Sequence, residues 1–160
     1  MRITKDAANN ALHITREFAA PVAHVWRAWT ESRLLDQWWA PKPWRAETKS
    51  MDFKEGGYWL YCMVGPEGER HWARVDYNRI VSGKSFDAID SFCDQEGIKS
   101  PEMPSMKWKN VFSPNGNRTT VEVTIHFNTA ADQQKIVEMG FESGFAAALN
   151  NLDELLAKGF

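Results

Sequence analysis

No apolar run in this 160-residue chain approaches the roughly 18–20 residues needed to span a bilayer, so no membrane insertion is expected. The opening stretch MRITKDAANNALHI lacks the apolar core of a secretion signal, which points to a cytoplasmic protein. The 19 Lys and Arg are scattered rather than gathered into a stripe, and the net charge is −2. That balance argues against a nucleic-acid partner. Cysteine is scarce: Cys62 and Cys93 form neither a redox pair nor a zinc knuckle. His13, His24, His71 and His126 have no metal-ligand spacing. There is no Gly-rich phosphate loop and no Gly-x-Ser-x-Gly nucleophile elbow, so neither a cofactor nor a catalytic motif is implied.

Aromatics are abundant. The segment WRAWTESRLLDQWWAP (26–41) holds four of the eight tryptophans, and Trp44 follows closely. Before it, ALHITREF (11–18) alternates like a strand. Val22, Val25, Trp26 and Trp29 then recur at i, i+3, i+4 and i+7 after Pro21, which marks one face of a helix. Thr30 or Ser32 can cap a second short helix carrying Leu34, Leu35, Trp38 and Trp39, stopped by Pro41 and Pro43. Trp26 and Trp29 are expected in the core. Trp38, Trp39 and Trp44 cannot all point inward; Trp39 is the candidate to line or cap a cavity entrance.

From about residue 44 to residue 127 short strands follow one another, punctuated by Gly56-Gly57, Ser82-Gly83 and Asn115-Gly116. About six strands in an antiparallel meander are expected. The stretch DQEGIKSPEMPS (94–105) is the candidate flap. Residues 130–158 then carry a helical pattern, opened by a cap at Thr129 and Asp132. A single helix of that length would run roughly 43 Å at about 1.5 Å per residue. Val137, Phe141, Phe145, Ala148, Leu152, Leu155 and Leu156 form its apolar arc. Beside them lies a line with little side-chain volume: Gly140, Gly144, Ala147 and Asn151. Each helical glycine costs about 1 kcal/mol relative to alanine, so something should offset it. Either the helix backbone approaches the sheet closely there, or the missing side chains leave an elongated cavity.

Three segments, ITREFAAPVAHVWRAWTESRLLDQWWAP, MDFKEGGYWLYCMVGPEGE and MGFESGFAAALNNLDELL, resemble the activator-of-heat-shock-chaperone-ATPase-like family. That family belongs to the START-like, helix-grip superfamily, whose members include Bet v-like and polyketide-cyclase-like proteins. The resemblance covers roughly residues 11–158 and implies a single α+β domain over 1–160. In it, a curved antiparallel sheet wraps a long C-terminal helix, with two short helices after the first strand. It also implies a cavity between sheet and helix that takes an apolar or amphipathic small molecule.

On strand alternation and helix projection, Trp59, Tyr61, Met63, Tyr77, Phe86, Trp108, Met139, Gly140, Ser143, Gly144 and Ala147 are expected near that cavity. Asp90, Asn110 and Ser143 would supply orienting polar groups, and His71 is the candidate inward histidine. Asp90 interrupts an apolar strand; buried, it would need a partner such as Arg74, His71 or Asn110, or it would take up a proton. An exposed edge position is the other alternative. An enzyme acting on the ligand would need an acid–base pair, for which only His71 and Asp90 offer themselves. The family name suggests a chaperone partner, and a homodimer is conceivable, but no segment marks a docking surface for either.

Overall fold

The computed structural model describes all residues, Met1–Phe160. Eight strands form one antiparallel sheet: β1 (Arg2–Asp6), β2 (Ala11–Phe18), β3 (Arg45–Met51), β4 (Tyr58–Val64), β5 (Arg70–Val81), β6 (Ser85–Cys93), β7 (Met106–Asn115) and β8 (Arg118–Phe127). Their spatial order is β1-β2-β8-β7-β6-β5-β4-β3, so β3 to β8 make a meander and β2 closes against β8. The six expected strands between residues 44 and 127 are all present. β1 was not expected: Ile3 is its only large apolar residue, so it carries no alternating signal, and it is held as an edge strand by pairing with β2.

Two helices, α1 (Val22–Thr30) and α2 (Ser32–Trp38), separate β2 from β3. Pro21 is the N-cap of α1, and Val25, Ala28 and Trp29 are buried on its inner side. The expected cap of α2 by Thr30 or Ser32 is not made. Glu31 takes that position in extended backbone without a side-chain cap, and the Thr30 hydroxyl turns back to donate to the Trp26 carbonyl.

The C-terminal segment departs from the single helix expected over 130–158. It is α3 (Ala130–Glu138) followed by α4 (Phe141–Lys158). Thr129 caps α3 by accepting from the Asp132 amide at 3.0 Å, as its sequence spacing suggests. Gly140 breaks the run with φ of +86°, a left-handed conformation that side-chain-bearing residues avoid. The glycine therefore ends one helix and opens another. α4 alone is 18 residues, about 27 Å at 1.5 Å per residue.

The core lies between the sheet's inner face and the helices. Leu12, Ile14, Val121, Val123 and Ile125 from β2 and β8 meet Phe145, Ala148, Leu149 and Leu152 from α4. Arg16 on β2 ties α4 to the sheet by donating to Asn150 and Asp153. Asn151, counted with the thin line of the helix, is buried and donates to the Ala40 carbonyl at 3.0 Å and the Trp38 carbonyl at 3.5 Å. It fastens α4 to the end of α2. Packing stops short of the sheet's β4–β7 end, where the space described next remains.

Candidate functional site

A cavity of about 260 Å³ lies between α3–α4 and strands β4 to β7. Tyr61 and Met63 line it from β4, His71, Trp72 and Ala73 from β5, and Asp90 and Phe92 from β6. Met106 and Trp108 of β7 complete the sheet side. The helical side is Ile136 of α3, Met139 and Gly140 at the break, and Phe141, Gly144 and Phe145 of α4. Trp39 and Pro41 close the end nearest α2. Met139 is 55% exposed while lining the cavity, so the break between α3 and α4 marks its mouth. Twelve of the seventeen lining residues are hydrophobic, and none is Lys or Arg.

A second space of about 20 Å³ lies deeper, bounded by Trp29, Leu35, Trp59, Val75, Tyr77, Phe86, Ala88 and Asn110. Trp39, Asp90 and Trp108 line both and form the wall between them. The tryptophan cluster thus divides by role. Trp38 is fully buried, its indole donating to the Ala28 carbonyl at 2.9 Å. Trp39 donates to the Tyr61 hydroxyl at 2.9 Å, which fixes both rings at the cavity wall. Trp59 stacks on Tyr61 with ring centroids 4.0 Å apart, and its indole donates to Thr48, whose hydroxyl donates in turn to Asp36. Trp44 is half-buried against the core and lies beside His71, 5.4 Å between rings.

Asp90 is on the inner face with Phe86, Ala88 and Phe92, so it is not an exposed edge residue. None of its expected partners reaches it. Arg74 lies on the outer face, paired with Asp76 and donating to the Gly97 carbonyl. Asn110 donates to the Phe86 carbonyl instead. Val75 stands opposite Asp90, and His71 is four residues along β5, roughly 13 Å away at about 3.4 Å per residue. The carboxyl makes no hydrogen bond or ion pair with the protein. It is half-buried, and burial pushes its pKa up to about 7. Burial likewise raises Tyr61, which lies near enough to Asp90 to feel its charge, as does Tyr77.

Three buried polar atoms lack a partner: the indole nitrogens of Trp29 and Trp108 and Oδ1 of Asn110. All three belong to residues lining the smaller space. The deep end is therefore polar in chemistry although aromatic in composition.

Most residues picked from the sequence fall around one or other space: Trp39, Tyr61, Met63, His71, Asp90, Trp108, Met139, Gly140 and Gly144 on the larger, and Trp59, Tyr77, Phe86 and Asn110 on the smaller. Ser143 and Ala147 line neither. Ser143 is exposed and donates to the Gly140 carbonyl at 3.2 Å, because the helix break rotates the start of α4 relative to a continuous helix. Close approach of backbone does not explain Gly144: a methyl group there would meet nothing nearer than Pro41 at 4.0 Å. Phe92 and Met106 also line the larger space; Phe92 is legible in the sequence because it shares Asp90's face two residues on, whereas Met106's place opposite Asp90 follows only from the β6–β7 register. Trp72 alternates with His71 and Ala73 along β5 and touches the cavity nonetheless.

The first part of the expected flap (94–105), residues 94–100, is a pinned loop. Asp94 accepts from the amides of Glu96 and Ile98, Ser100 donates to Phe92, and Arg74 and Lys49 donate to the carbonyls of Gly97 and Gln95. No helix is long and apolar enough to cross a membrane.

An open antiparallel sheet gripping a C-terminal helix, with a hollow between them, defines the helix-grip class. Within it, the chain belongs to the family described as Activator of Hsp90 ATPase homolog 1-like protein, whose model matches residues 19–157. A protein from Mycobacterium smegmatis is 28% identical with a TM-score of 0.90, over 98% of this chain and 96% of that one. One from Arthrobacter aurescens is 29% identical with a TM-score of 0.93, over 99% and 92%. One from Nitrosomonas europaea is 28% identical with a TM-score of 0.83, over 94% and 96%. No curated protein matches the chain.

Proposed function

We propose that this chain is one domain that binds an apolar or amphipathic small molecule in the cavity between β4–β7 and the α3–α4 segment. The observation that carries the proposal is the cavity itself: about 260 Å³, walled by aromatic and aliphatic side chains, open at Met139 and furnished with a single carboxyl. Ligand sites are concave, mostly apolar and supplied with few polar groups, and this one has that composition. An engineered cavity of about 150 Å³ admits benzene, and drug-sized ligands occupy about 300–1,000 Å³. The ligand should therefore be of one or two rings, or a short chain. Two free cysteines on separate strands suit a reducing compartment, in keeping with action in the cytoplasm.

Turnover has weaker support. Its only candidate acid–base pair, His71 and Asp90, lies too far apart for direct proton transfer.

Native mass spectrometry of freshly purified protein tests the proposal, with an excess mass on the order of 100–200 Da, that of a one- or two-ring molecule, expected on a fraction of the molecules. Gly144→Phe should remove that mass while leaving the far-ultraviolet circular dichroism unchanged, because the new ring enters the cavity. Retention of the small molecule by a folded Gly144→Phe protein would place the binding elsewhere.

A further inference from the structure

Of the residues that line the larger cavity, Asp90 is the only acid, and no Lys or Arg accompanies it. A carboxylate enclosed by aromatic rings has two ways to offset its lost hydration: it takes a proton, or it meets a cation. No Lys or Arg lines the cavity to supply the cation. Arg74, the nearest guanidinium in register, is committed to Asp76 on the opposite face of the sheet. A ligand can supply one.

We infer that the cavity is selective for small aromatic or aliphatic amines, with the ligand's ammonium serving as the counter-ion of Asp90. This deepens the cavity-binding proposal above and rests on it.

Three features besides the lone carboxyl favour a cation. The walls beside Asp90 are the rings of Trp39, Tyr61, Phe92 and Trp108, whose electron-rich faces attract an ammonium group. The Tyr61 hydroxyl already accepts from Trp39, which holds both rings in place before any ligand enters. An anionic ligand, such as a fatty acid or a phosphate ester, would meet the carboxylate with no basic side chain to balance it. Fatty-acid carriage is thus disfavoured by the same residues.

The unpartnered indole N–H groups of Trp29 and Trp108 require an acceptor, which an ammonium is not. The smaller space of about 20 Å³ has room for one water, since roughly 10–15 Å³ suffices. A water there would have two lone pairs to offer the two indoles and two hydrogens to offer Asn110 Oδ1 and one Asp90 oxygen. The second Asp90 oxygen would then be left for the ligand. A neutral carbonyl ligand reaching the indoles directly is the competing occupant.

Titration of Asp90 separates these cases. The titratable groups around it are Tyr61 on β4, His71 and Tyr77 on β5 and Cys93 on β6; α3 and α4 place none on the cavity. Burial raises both tyrosines and moves Cys93 up to about 11. None of these three ionises near neutrality. At about pH 8.5 Asp90 is ionised while an alkylamine, whose pKa is near the roughly 10.4 of lysine, stays protonated.

The experiment titrates the purified protein with 2-phenylethylamine, 2-phenylethanol, phenylacetone and phenylacetate, by calorimetry or tryptophan fluorescence, at about pH 8.5 and about pH 5.5, on either side of the carboxyl's value. In the wild type at the higher pH the amine should bind about tenfold or more tightly than the alcohol, with phenylacetate weakest. Asp90→Asn should reduce the amine's advantage over the alcohol to within about twofold; the lower pH should do the same to the wild type and change the ratio no further in the variant, which separates Asp90 from His71. Alcohol or ketone binding as tight as the amine in the wild type at about pH 8.5 would overturn the amine selectivity and leave cavity binding intact. If none of the four probes bound while the native protein still carried a co-purified mass, the amine selectivity alone would fall; no probe bound and no co-purified mass would remove the cavity-binding proposal with it.

Discussion

Asp90 stands on β6 between Val75 and Met106, and its raised pKa makes stability depend on pH. An unfolded aspartate titrates near about 3.9, whereas the folded one titrates at about 7. Between those values the folded chain holds a proton that the unfolded chain has released. Stability therefore falls as pH rises from about 4 to about 7 and stays flat beyond. Asp90→Asn removes that penalty. Urea denaturation should find the variant more stable than wild type by a few kcal/mol at about pH 8, with the gap closing toward pH 4. A second residue behaves in the opposite sense. Asn151→Ala strands the carbonyls of Trp38 and Ala40, and a loss of about 1–3 kcal/mol is expected in the same measurement. The sequence shows Asp90 as an anomaly because an acid breaks an apolar alternation. It does not show Asn151's partners, which lie 111 and 113 residues earlier in the chain. Local spacing identifies which residue is unusual, while its counterpart comes from tertiary packing.

Among the elements, β3 to β8, α1 and α2 follow from alternation, turn glycines and one helical stripe, all of them local signals. The break between α3 and α4 does not, because the apolar positions continue across it: Val137, Phe141 and Phe145 keep helical spacing whether or not the axis is continuous. Gly140 was read as a costly residue inside a helix; in fact it supplies the positive φ that the junction requires. The two glycines should consequently respond differently to one extra methyl group. Gly140→Ala should destabilise by about 1–2 kcal/mol, the cost of a left-handed conformation for a residue with a Cβ. Gly144→Ala, with ordinary φ and room at 4.0 Å from Pro41, should stabilise by up to about 1 kcal/mol. Paired thermal melts check both, and equal shifts for the two would show that the junction is not held as described.

Over the whole molecule, the sheet's two edge strands are β1 and β3, at opposite ends of the strand order. The cavity belongs to the β4–β7 half, and β1 takes no part in lining it. Deletion of residues 1–6 should cost little stability, since the only large apolar residue it removes from β1 is the half-buried Ile3, and ligand titrations should be unaltered. The helix-grip arrangement was legible from the order of its segments. The depth of the hollow was not, because it depends on how rings from five strands and helices fail to meet. Those rings also sit close together: Trp39 lies 6.0 Å from Trp29, 5.2 Å from Trp38, 5.7 Å from Trp59 and 5.8 Å from Trp108, centroid to centroid. Chromophores at that separation exchange excitation and couple their transition dipoles. The ultraviolet emission and near-ultraviolet dichroism of this chain should thus behave as the property of one joined antenna, and a molecule seated against a single indole would dim or brighten all five.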